Sequence, residues 1–123
     1  MEDTIVSFET AKKLKEIGFN ISCRNFYGIF DKLHKNYHID RNNQENNEYC
    51  CVAPTQSLAQ KYLRELHNID VWVAPFFDSS QSNQYCPIVY KDKIDLTESE
   101  FEGTYEEALE AGLIEGLDLI AIK

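Results

Sequence analysis

No stretch of this sequence stays apolar for the length a bilayer crossing needs, and its first ten residues, MEDTIVSFET, carry acids where an export signal needs bases. The expectation is a cytoplasmic protein with no membrane contact. Glycine and proline are scarce, five and three in 123 residues. The glycines at 18, 28, 103, 112 and 116 form neither a GxGxxG nor a GxxxxGK loop, which argues against the common nucleotide-binding folds. There is no GxSxG elbow and no HExxH helix, so the readiest hydrolase and metalloprotease chemistries are missing as well. No cofactor and no catalytic residue is expected, and binding leads over catalysis as the mode of action.

Cysteine is sparse, and its arrangement argues against disulfides. The chain has Cys23, Cys50, Cys51 and Cys86. The vicinal pair and the missing export signal favour reduced thiols, packed as small apolar side chains. The alternative to a pure binding protein is a small metal protein or enzyme. His34 and His38 with Cys50 and Cys51 supply two imidazoles and two thiolates, the donor set of a tetrahedral zinc site. Their spacing fits poorly, because the thiols are adjacent and the histidines bracket a polar stretch.

Bases are missing altogether from one region. Residues 94–122 hold nine acids and no lysine or arginine, while the remainder carries twelve of each sign, so the whole net charge of −9 lies there. Such a field repels phosphate backbones and attracts a basic protein surface or a cation. Nucleic-acid binding is therefore the weaker alternative. It would rest on Lys12, Lys13, Lys15, Arg24, Lys32, Lys35 and Arg41, with Phe26, Tyr27 and Tyr37 as stacking surfaces.

What remains is an ordinary globular composition, 43% hydrophobic and 27% charged, of the size of a single domain spanning residues 1–123. Ser7 is placed to cap a helix carrying Ala11, Leu14 and Ile17 on one side, and Gly18 followed by Phe19 is placed to end it. Residues 20–33 read as one or two strands broken at Gly28, residues 34–48 as a polar, asparagine-rich loop, and residues 49–53 as a short strand. Thr55 opens a second helix with Leu58, Ala59, Tyr62, Leu63 and Leu66 on one arc, closed by Asn68. Residues 70–77 and 85–90 read as a hairpin, with Pro75 and Pro87 expected at an edge, a bulge or a strand end.

Thr104 and Glu107 have capping-box spacing for a last helix running to Ile120. Its wheel puts Leu109, Gly112, Leu113, Gly116 and Leu117 together and the acids opposite. Glycine inside a helix costs roughly 1 kcal/mol relative to alanine. Gly112 and Gly116 therefore predict close backbone approach, either to the sheet or to another chain in a homo-oligomer. Glu106, Glu110, Glu115 and Asp118 form the candidate contact surface for a protein partner. Glu115 and Asp118 stand near the negative end of the helix, where stability alone would not put them. The order is α, β, β, α, β, β, α: an α+β fold with three helices on a small antiparallel or mixed sheet of three to four strands.

Three blocks, VSFETAKKLKEIGF, APTQSLAQKYLRELHNI and TYEEALEAGLIEGLDLI, running from Val6 to Phe19, Ala53 to Ile69 and Thr104 to Ile120, resemble in order and spacing a family of small bacteriophage and prophage proteins of gut bacteria. That family has no catalytic residues to carry over. The resemblance implies an accessory protein acting in the host cytoplasm, in nucleic-acid metabolism, control of host machinery or evasion of a defence system.

Overall fold

In the computed structural model, which describes residues 4–21, 23, 25–28, 32–34, 51–75, 84–97 and 103–121, Ser7 starts the first helix. Its Oγ accepts the Thr10 N–H at 3.3 Å, satisfying one of the orphan donors at the head of α1, Phe8–Glu16. The other end is a Schellman closure. Phe19 N–H donates to the Leu14 carbonyl at 2.9 Å and Gly18 N–H to that of Lys15 at 3.1 Å, with Gly18 at φ +95°. Thr10, Ala11 and Leu14 form the buried side of the helix.

The chain divides into two compact units, Met1–Thr55 and Gln56–Lys123. In the first, β1 (Phe26–Tyr27) lies between β2 (Leu33–His34) and β3 (Cys51–Val52), both antiparallel to it. Helix α1 packs on β3. Tyr27 locks this unit together. Its hydroxyl donates to the buried Val6 carbonyl at 2.8 Å, and its ring meets Phe8 edge-on at 5.5 Å. The Val6 N–H in turn donates to the Pro54 carbonyl at 3.0 Å.

The second unit holds α2 (Gln56–His67), β4 (Ile69–Pro75), β5 (Tyr85–Lys91), β6 (Ile94–Asp95) and α3 (Tyr105–Ala121). Its strands form an antiparallel meander in the order β4-β5-β6. Asn68, at φ 55°, turns the chain from α2 into β4. Asp92 and Lys93, both at positive φ, make the two-residue turn from β5 to β6. The α+β class and the α, β, β, α, β, β, α order hold, with a short third strand added to each group. The strands form two three-stranded antiparallel sheets where one sheet was expected.

Pro87 lies within β5, the central strand, where a missing N–H would normally break the ladder. Its neighbours in the alternation show why it does not. Tyr85 N–H donates to the Gly103 carbonyl and Val89 N–H to Thr97 Oγ1. The N–H groups of this set therefore point away from β4, and proline costs that pairing nothing. Helix α3 packs on β4, β5 and α2, with Leu109, Leu113 and Leu117 buried. A Cβ added at Gly112 would stand 2.7 Å from Val71 Cγ1, and one at Gly116 3.1 Å from Ile69 Cγ2. The close approach read from these glycines is thus made to the chain's own sheet.

The capping box at the head of α3 is formed. Glu107 N–H donates to Thr104 Oγ1 at 3.2 Å, and Thr104 N–H donates back to Glu107 Oε1 at 3.1 Å. Thr104→Ala removes the acceptor and should lower stability by about 1 kcal/mol in urea unfolding. An unchanged midpoint would mean that the box contributes nothing in solution.

Candidate functional site

Alternation along a strand decides which side chains of the second unit meet the helices. Ile69 and Val71 on β4 and Val89 on β5 are buried beneath the helices, while Asp70 and Trp72 stand on the opposite face. The register carries this open face across the sheet. Trp72 pairs with Ile88, and Asp70, Tyr90 and Asp95 form one row through β4, β5 and β6. Directly paired residues stand side by side on one face, their Cβ atoms about 5 Å apart. Tyr90 is therefore flanked by a carboxylate on each side.

Trp72, the only tryptophan of the chain, is 49% exposed. Its indole and the Tyr90 ring lie 5.9 Å apart at 41°. Helix α2 borders the open side of β4, to which no strand pairs among the described residues, and the Gln60 side-chain amide donates to the Val71 carbonyl there. Gln60, Arg64, Asp70, Val71, Trp72 and Tyr90 line an open cleft of about 280 Å³, with room for a side chain or a small planar group. Arg64 is exposed and Asp70 half-buried. The Thr97 hydroxyl and backbone N–H, the latter at 2.9 Å, hold the Asp95 carboxyl below the usual carboxylate range. The cleft thus combines two π-faces, a guanidinium and the Asp70 carboxylate, with Asp95 on the far side of Tyr90 in the same register row.

The acidic surface of α3 is less open than a wheel implies. Glu106 and Glu107 are exposed and sit in the first turn, where the helix dipole favours them. Glu110, Glu115 and Asp118 are half-buried, and Glu115 Oε2 is shielded from solvent. Glu110 is engaged within the unit, since its Oε1 accepts from Gln56 Nε2 at 3.0 Å. The same Gln56 amide donates to the Glu106 carbonyl at 2.9 Å. This buried glutamine ties the head of α2 to the head of α3, and nothing local in the sequence signals it.

Of the metal quartet, His34 lies in β2 and Cys51 in β3, on opposite flanks of β1. They occupy different register rows, His34 with Phe26 and Val52, Cys51 with Tyr27 and Leu33. His38, Cys50 and nearly all of the 34–48 loop lie outside the described residues. Among the described residues no group of three potential ligands is close enough to hold a metal ion. Cys23 and Cys51 are buried thiols, as the packing reading anticipated, and Cys86 is half-buried. Phe26 and Tyr27, named as stacking surfaces for nucleic acid, are 7% and 9% exposed and serve as core instead. Leu66, placed by its spacing on the buried arc of α2, is 66% exposed. No helix of the described residues is long and apolar enough to cross a membrane. Comparison with protein-family models, with curated proteins and with solved structures finds no match for this chain.

Proposed function

We propose that this protein acts by binding a basic protein partner, as an accessory protein of the phage kind its three blocks resemble, with the second unit as the contact surface. One observation carries the reading: a half-exposed tryptophan beside a tyrosine, on a unit whose charge is overwhelmingly negative. From residue 56 onward the chain has thirteen acids and five bases, against eight acids and seven bases before it. Tryptophan, tyrosine and arginine carry most of the energy in protein interfaces, and a one-signed field steers and selects the partner. Glu106, Glu110, Glu115 and Asp118 belong to that field, which extends over α3.

The reading is tested by titrating the protein with a lysine- and arginine-rich polypeptide in a calorimeter at low and high salt. Binding that weakens steeply with salt is expected. Glu65→Lys with Glu106→Lys should weaken it further, since both residues are exposed and the reversal spares the Gln56–Glu110 and Thr104–Glu107 hydrogen bonds. Absence of any complex at low salt would overturn the reading. A single nucleic-acid strand is the second reading, because aromatics on adjacent strands of an open sheet can stack bases. The charge of the unit opposes it, and tighter binding of an oligonucleotide than of the polypeptide would decide in its favour.

A further inference from the structure

We propose that the cleft between α2 and the open sheet face is a receptor for an arginine side chain of the partner, its guanidinium lying over Trp72 and Tyr90 and held by the Asp70 carboxylate. This inference rests on the basic-partner reading and names the site and the group within it. Four observations converge on a planar cation. The Trp72 and Tyr90 rings are adjacent and one is half-exposed, and a guanidinium over an indole face is the favoured cation–π geometry. Asp70 lines the same cleft and offers two oxygens in the spacing that a guanidinium fork engages. Asp95, on the other side of Tyr90 in the same register row, adds a second negative charge. The volume of about 280 Å³ has room for such a side chain.

Arg64 makes the assignment testable by sign. It lines the same cleft from α2, so the protein's own guanidinium competes with an incoming one. Were the ligand a phosphate or a carboxylate, Arg64 would be its main attraction and removing it would weaken binding. For an arginine ligand, removal should strengthen it.

The experiment is calorimetric titration of the full chain and its variants with a short capped peptide of alternating arginine and glycine, with a glycine-only peptide as control. Trp72 fluorescence gives a second signal in every protein that retains the indole. Asp70→Asn and Trp72→Phe are each expected to weaken binding by about three- to tenfold, and Arg64→Gln to strengthen it by a few-fold. The arginine peptide should alter Trp72 emission saturably, and a lysine counterpart should bind more weakly because an ammonium lacks the planar fork. Circular dichroism melts confirm that the variants fold. If Arg64→Gln weakens binding, or Asp70→Asn and Trp72→Phe leave it unchanged, the cleft is not an arginine receptor. Should those variants be silent while the Glu65→Lys, Glu106→Lys pair abolishes binding, the basic-partner reading stands and only the site is overturned. If the unaltered chain binds no basic polypeptide at all, the reading itself fails.

Discussion

Gly112→Ala should lower the melting temperature by roughly 3–10 °C, while Gly116→Ala should move it little. Both substitutions regain roughly 1 kcal/mol of helix propensity. They differ in what the new methyl meets. At Gly112 it would stand 2.7 Å from Val71 Cγ1 and 3.0 Å from Pro87 Cβ. Valine has one favoured χ1 and the proline ring is fixed to its backbone, so neither can swing away. The sheet or the helix must shift instead, an overpacking cost of about 2–3 kcal/mol, the upper part of the usual range, which outweighs the gain. At Gly116 the contacts are 3.1 Å to Ile69, 3.2 Å to Val71 and 3.6 Å to Leu63. A few tenths of an ångström of adjustment absorbs them, and the propensity gain nearly balances the rest. Calorimetric melts of the two variants beside the parent check the contrast. A Gly112→Ala protein as stable as the parent would mean that α3 does not approach the sheet this closely.

Leu63→Ala should cost about 2–5 kcal/mol, the range for emptying a fully packed leucine site. Leu63 has no exposed surface, and its Cδ1 reaches the side of α3 at Gly116. Since a domain's whole stability is about 5–15 kcal/mol, the loss is a large fraction of the total. Leu66→Ala supplies the internal comparison. Leu66 is 66% exposed at the end of the same helix, and its removal should stay within about 0.5 kcal/mol. Urea unfolding followed by far-ultraviolet dichroism measures both, and equal midpoints would show that α2 is docked differently.

The two leucines also show where sequence reasoning ends. Helical spacing puts Leu63 and Leu66 on one arc, and only the extent of the packed sheet decides that one is covered and the other is not. What was legible is local. Ser7, Gly18, Asn68 and the Thr104–Glu107 pair act on backbone groups within a few residues, so these four helix ends could be read without knowing the fold. The turn before β6 escaped because it carries no signal. Asp92 tolerates positive φ, but Lys93 is a poor residue for φ 69°, and nothing in Asp-Lys resembles the Asn-Gly of such turns.

Division of the strands between two sheets depends on partners far along the chain, which spacing cannot reveal. A helical wheel of α3 cannot show that Gln56, 54 residues before Glu110, engages it. The aromatic cleft was hidden for a different reason. Residues 70–77 and 85–90 are apolar at nearly every position, so the period-two signal that would single out Trp72 and Tyr90 as outward is washed out.

The amide of Gln60 on the Val71 carbonyl has a consequence for behaviour at high concentration. An exposed strand margin is a template on which a second molecule can add a strand, and repetition of that step builds fibres. A side-chain donor already seated at the middle of β4 takes the place an intruding backbone N–H would need. Pro75 at the end of the same strand has no N–H to lend to such a ladder. The aromatic sheet face proposed for recognition is thereby hindered from polymerising through the border of β4.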